Sequence, residues 1–317
     1  MKFEHFIITR FNLPIYSKIK NGNVCSTMIE YLDNRFLLFL KYCLPSIKQQ
    51  TCQDFKWLVL FDANTPKVYK TKINEIHKEY NRFIPCYLDL NEYENVDKNY
   101  IDYYNDYISK LGNYNYESIE YNIEEYNRMI ITPQFISDCI HKHSENDVDF
   151  YITTRIDNDD ALHKDFIKKI QDEAIKENRY VLFDYINGYR YVLDKRFVTK
   201  MRYQNGHFTT LIEPKKKSLQ SVVYWDHNQA YKFVPTKHID IEPMYIELIH
   251  KTNVINNEKD ISLHELMYAV KNFRHSEFGY PRIRLAASIY IKTFLRLFYT
   301  YTKNYLTYHL SLNKIIK

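Results

Sequence analysis

Glycine is nearly missing from this chain, with 5 in 317 residues. Phosphate-cradling loops need glycine where backbone closes on the anion, and neither GxGxxG nor GxxxxGK(S/T) occurs. The dinucleotide-binding Rossmann and P-loop readings therefore lose their main support. Cysteine is sparse and unpaired in pattern: Cys25, Cys43, Cys52, Cys86 and Cys139 include no CxxC. That argues against a structural zinc site and a disulfide framework, and fits a reducing compartment. No run approaches the ~18 uncharged apolar residues of a spanning helix. Met1 to Arg10 lacks the apolar run and small-residue cleavage site of a signal peptide, so a cytoplasmic location is expected. Acidic residues are absent from 278–317, where seven basic residues leave the tail strongly positive and the rest near neutral. This asymmetry points to a surface-binding tail and not to a nucleic-acid-binding domain.

What is present is an ordinary globular balance, 45% hydrophobic and 26% charged. Phe3 to Thr9 reads as a buried strand, and Met28, Leu32, Phe36, Phe39, Leu40 and Cys43 recur at helical spacing. A second short helix runs to about Gln50. Trp57-Leu58-Val59-Leu60-Phe61 is a continuous apolar run closed by Asp62, as in a parallel strand buried on both faces. Helix over 66–80, strand over 83–88, helix over 130–141, strand over 150–154, helix over 164–176 and strand over 180–183 follow. This alternation predicts an α/β fold with a doubly wound, mainly parallel sheet flanked by helices. Ligands bind such sheets at the carboxyl ends of the strands, and two strands here end in aspartate, Asp62 and Asp157. The Tyr- and Asn-rich stretch 91–128 reads as an insertion with local helix. The expected organisation is a catalytic domain over 1–255 and a helical basic region over 256–317.

The sharpest local feature is Asp157-Asn158-Asp159-Asp160. Three carboxylates this close repel one another unless a divalent cation or many donors stabilise them. Hard oxygen ligands suit Mg²⁺ or Mn²⁺. A solvated acidic turn is the bland alternative. An EF-hand is disfavoured, since no glycine stands sixth and Lys168 stands twelfth.

The surroundings carry a resemblance. Cys43-Leu44-Pro45-Ser46-Ile47 through Gln50-Thr51 to Phe55 and Trp57–Asp62 resembles the corresponding passage of family 2-type glycosyltransferases. Thr9-Arg10-Phe11-Asn12 resembles their first turn, and Tyr151 to Leu162 their DxD passage. More narrowly, His5–Asn12, Trp57–Asp62 and Thr153–Leu162 resemble the rhamnosyltransferase family of GT-A-fold enzymes. The resemblance implies a GT-A-type fold. It implies that Asp157 and Asp159 hold the metal and the donor diphosphate, with Asp160 facing the donor sugar. Thr9, Arg10, Asn12 and Asp62 fall at the nucleotide, and Arg155 is read with this donor-binding set. Arg128 is the candidate for the arginine preceding the DxD strand, a surface helix charge being the alternative.

In the second half, Asp226 of Trp225-Asp226-His227 is the candidate base for the acceptor hydroxyl, set against a helix-capping Asp beside a core Trp. His250, in Met244 to Asn253, resembles the histidine that ends the family's metal or diphosphate site. A satisfied core histidine is the alternative. His163, His207, His227 and His238 are read as structural. Over 282–305, Lys292, Arg296 and Lys303 fall within roughly 40° on a helical wheel, opposite Ala287, Ile291, Phe294, Phe298, Tyr301 and Tyr305. Such a C-terminal amphipathic helix suits an anionic membrane face, or docking on its own core.

These features together predict a metal-dependent glycosyltransferase using a nucleotide-sugar donor and a glycan or lipid-linked acceptor, as in surface polysaccharide synthesis. A sugar-nucleotidyltransferase and a non-catalytic carbohydrate- or membrane-binding protein remain as rivals.

Overall fold

The computed structural model describes residues 2–14, 27–111, 126–145, 147–177, 179–250, 267–270 and 273–280, together with 291, 294–295, 298–303 and 305. The first half alternates β1 (Phe3–Asn12), α1 (Ile29–Leu38), α2 (Leu44–Lys48), β2 (Lys56–Asp62), α3 (Lys67–Glu79), β3 (Phe83–Leu88) and α4 (Lys98–Leu111). Next come α5 (Thr132–His143), β4 (Phe150–Arg155), β5 (Ala161–Leu162), α6 (Phe166–Glu177) and β6 (Val181–Tyr185). The remainder is mostly strand: β7 (Asn187–Val192), β8 (Phe197–Arg202), β9 (Thr209–Pro214), β10 (Thr236–Ile239) and β11 (Tyr245–Ile249).

Seven strands form one sheet in the order β10-β6-β9-β4-β1-β2-β3. All run parallel except β9, which is antiparallel to both β4 and β6. Period-two alternation sends Trp57, Val59 and Phe61 to one face and Leu58 and Leu60 to the other, so β2 is apolar throughout. The first face is covered by α1, α2, α3 and α6, and the second by α4 and α5. This is the mixed, mainly parallel, helix-flanked sheet of a GT-A-type fold. A second sheet, β5-β11-β7-β8, lies beyond the acidic loop.

The stretch 91–128 contributes to the core: Tyr100, Tyr104, Tyr107 and Ile108 of α4 are all buried under the second face. Tyrosine hides the apolar stripe in a polar-looking sequence, because each ring buries like a hydrophobe while its hydroxyl finds a partner. Tyr100 donates to the Leu219 carbonyl at 3.0 Å and Tyr103 to the Ser218 carbonyl at 3.2 Å. Residues 112–125 lie outside those described. Most of the expected tail helix over 282–305, including Arg282, Arg284, Lys292 and Arg296, also lies outside them. Its described residues, among them Phe294, Phe298, Tyr301 and Tyr305, are helical and exposed.

His5 in β1 is 2% exposed, with Nε2 2.7 Å from Thr154 Oγ1, and burial pushes its pKa down to about 3. The folded protein therefore keeps His5 neutral while the unfolded chain protonates it below about pH 6.5. Stability should fall by about 1.4 kcal/mol per pH unit from this one group as pH drops below that value. His5→Gln should flatten that acid slope, as read by urea unfolding at about pH 7 and about pH 5.

Candidate active site

The carboxyl ends of β1, β2 and β4 lie side by side at one edge of the large sheet. Asn12 ends β1 and ties it to the turn after β2. Its Nδ2 donates to Thr65 Oγ1 at 3.0 Å, and its Oδ1 accepts from the Asp62 amide at 3.4 Å. Asp62 Oδ1 in turn accepts from the Asn64 amide at 2.7 Å. Thr9 sits deeper in β1, fully buried, and its hydroxyl accepts from Trp57 Nε1 at 2.9 Å.

The acidic loop leaves β4 directly opposite. Arg155 clamps Asp157 with two hydrogen bonds of 3.1 and 3.0 Å. Burial opposes charge on Asp157, but Arg155, His207 and Arg10 more than offset it and hold the carboxyl well below its usual range. Asn158 Nδ2 donates to the Phe11 carbonyl at 3.0 Å, pinning the loop to the end of β1.

Asp159 and Asp160 have different partners. Asp159 lies in a buried ion-pair network, with Arg35 Nη1 at 2.5 Å and His250 Nε2 at 2.9 Å from the same oxygen. Burial raises its pKa, and the His250 hydrogen bond and the Arg35 charge bring it net below normal. Asp160, 3% exposed, accepts from the Leu248 amide at 2.9 Å and lies 3.0 Å from His207 Nε2. Burial pushes its pKa up to about 7 against the His207 hydrogen bond. Burial lowers the His207 pKa, yet Asp160 and Asp157 raise it overall. The ligand atoms of Asp157, Asp160 and His207 all lie within 4.8 Å of one another. Two carboxylates and an imidazole are a fitting donor set for Mn²⁺.

Of the expected Asp157, Asp159 and His250, the structure brings Asp159 and His250 into contact and sets Asp157 beside Asp160 and His207. Asp159 pairs with both Arg35 and His250, while Asp160 and His207 join Asp157.

A family profile described as "Putative rhamnosyl transferase" matches residues 4–106 and 119–260. The chain belongs to this family. No curated protein matches its sequence. Among solved structures it is similar to S. aureus TarS 1–349 in complex with UDP-GlcNAc, at 11% identity and a TM-score of 0.38. That match covers 80% of this chain and 60% of the other, so this chain spans well under two thirds of its length. It is also similar to mouse xyloside xylosyltransferase 1, at 8% identity and a TM-score of 0.30, covering 58% and 52%.

Two residues of this site escaped the sequence reading. His207 directly precedes β9, the antiparallel strand whose start lies beside the end of β4, with Thr210 opposite Thr154. Only that reversed direction brings His207 to the acidic loop, and strand direction has no local signature. Arg35 had a signal, because it shares the apolar stripe of Leu32, Phe36 and Phe39 at helical spacing. A charge on a buried stripe needs a buried counter-charge. His250 reaches Asp159 because β11 pairs antiparallel with β5, immediately after the loop.

Arg128 is brought to Asp226, not to the acidic loop: its Nη1 is 2.5 Å from Asp226 Oδ1. Tyr107 donates to Asp226 Oδ2 at 3.3 Å. The following turn is made by the Asp226 backbone carbonyl, which accepts from the Gln229 and Ala230 amides. The carboxylate is therefore held by Arg128 and Tyr107 and does not cap a helix. Neighbouring His227 packs with its ring 5.9 Å from that of His207, which joins the Asp226 loop to the acidic loop.

Proposed function

We propose that this enzyme transfers a sugar from a nucleotide-sugar donor to a glycan or lipid-linked acceptor with the help of Mn²⁺ or Mg²⁺. The observation that carries the reading is the Asp157–Asp160–His207 cluster at the carboxyl end of β4, pinned to the end of β1. In this reading Asp157, Asp160 and His207 hold the cation. When bound, the cation neutralises charge that grows on the departing diphosphate. Arg155 fixes the Asp157 carboxylate, and the Arg35–Asp159–His250 network fixes the loop between the ligands. Asn12 and Asp62 line the nucleotide side, with Arg10 supplying positive charge. Asp226, oriented by Arg128 and Tyr107, takes the proton of the attacking hydroxyl.

Rhamnose is the sugar favoured by the family description, and surface polysaccharide synthesis is the setting proposed. Residues 1–255 form the proposed catalytic unit. Peripheral membrane attachment through 282–305 is supported by the exposed Phe294, Phe298 and Tyr301 of the tail. No helix among the described residues is long and apolar enough to cross a membrane.

The test is product analysis. The chain is incubated with UDP-, GDP-, dTDP- and CDP-linked sugars, with and without Mn²⁺. One nucleoside diphosphate should accumulate, only with metal, and chelation should stop it. Release of pyrophosphate would instead identify nucleotidyl transfer.

A further inference from the structure

A cleft of about 390 Å³ opens on the α4 side of the large sheet. Its volume falls within the ~300–1,000 Å³ of small-molecule sites. Its walls are aromatic. Tyr103 and Tyr107 come from α4, and Trp225 and Phe233 come from the segment after β9. The Trp225 and Phe233 rings are within 15° of parallel, and Tyr107 lies 5.0 Å from Phe233 at 35°.

The rim is polar and incompletely bonded. Gln220 Oε1 accepts from the Tyr180 hydroxyl at 3.1 Å and from Lys216 Nζ at 3.4 Å, while its amide NH₂ has no hydrogen bond among the described residues. Asp106 stands at the same cleft, paired with Lys110 at 2.8 Å, and Lys216 Nζ lies 5.2 Å from the centre of the Tyr103 ring. Tyr224, 1% exposed, also lines it, and its buried hydroxyl has no partner among the described residues. A buried hydroxyl without a partner is costly, and a ligand that supplies one removes that cost.

The partly exposed Tyr103 and Phe233 rings, beside an open amide and an unpartnered hydroxyl, match one chemistry closely. A sugar ring has an apolar C–H face that lies on aromatic rings and a rim of hydroxyls that both donate and accept. An acyl chain would leave the Gln220 amide and the Tyr224 hydroxyl without a partner. The cleft also leads to the site. Tyr107 binds Asp226, Trp225 precedes it, and His227 lies against His207. We infer that this cleft binds a saccharide unit of the acceptor, set back from the hydroxyl that reacts. The inference rests on the glycosyltransferase reading of the Asp226 side.

Trp225 gives the test its readout, since the other tryptophan, Trp57, is wholly buried in the core. The full chain is screened on a printed oligosaccharide array, and the strongest binder is titrated by tryptophan fluorescence. Tyr103→Ala, which removes a stacking wall, should weaken it about tenfold or more. Gln220→Ala, which removes only rim hydrogen bonds, should weaken it in the same direction and keeps the test valid should the first variant misfold. Neither should alter the melting-temperature shift produced by nucleoside diphosphate with Mn²⁺. Equal binding by both variants, competition by nucleoside diphosphate, or no binder on the array would overturn the inference. Saccharide binding lost in both variants, in a protein that no nucleotide stabilises, would uphold the cleft and sink the transferase reading.

Discussion

Asp157→Asn should lower metal-dependent sugar transfer by about 10²–10³-fold while leaving the protein folded. Asparagine keeps the shape and one acceptor oxygen for Arg155, so the loop retains its anchor. It loses the charge that a divalent cation needs and leaves Arg155 uncompensated beside the leaving diphosphate. Asp160→Asn and His207→Ala should follow Asp157→Asn, with a raised Mn²⁺ requirement as their shared signature. The metal titration distinguishes loss of a ligand from general damage: a ligand variant recovers part of its activity at high Mn²⁺, and a misfolded one does not. Equal Mn²⁺ requirements in wild type and His207→Ala would exclude the imidazole from the metal site.

Asp159→Ala should act mainly on stability. Its carboxylate, Arg35 and His250 are all nearly sealed from water, at 10%, 7% and 6% side-chain exposure. Removing one member of a buried charge network leaves the others short of their counter-charge, at about 3–5 kcal/mol. At ~2–4 °C per kcal/mol, the metal-free melting temperature should drop by about 6–20 °C. The opposite sign follows from the DxD expectation. Were Asp159 one of three crowded carboxylates awaiting a cation, its removal would relieve repulsion and raise metal-free stability. A melting curve without metal therefore separates a structural aspartate from a ligand.

The legible parts of this protein were those with local signatures. The continuous apolar run of β2, the strand-end Asp62 and the Asp157–Asp160 cluster each follow from a few adjacent residues, and together they placed the sheet and its working edge. The allocation of the three acidic side chains was not legible, because it depends on partners that sequence keeps far apart. His207 arrives through the reversed direction of β9, His250 through the β5–β11 pairing, and Arg35 from an early helix. Arg128 and Asp226 were both singled out, but their pairing across 98 positions is a tertiary fact. The role of α4 was hidden by composition, since tyrosines fill positions where a core helix more often carries leucine or isoleucine.

Pulsed EPR of Mn²⁺ bound with nucleoside diphosphate tests the central assignment most directly, because it detects nitrogen coordinated to the metal. The assignment of the cation to Asp157, Asp160 and His207 predicts an imidazole signal in wild type. That signal should survive in His250→Gln and vanish in His207→Ala. A signal that persists in His207→Ala, or that vanishes with His250→Gln, would contradict the assignment and return the metal to the Asp157–Asp159–His250 set.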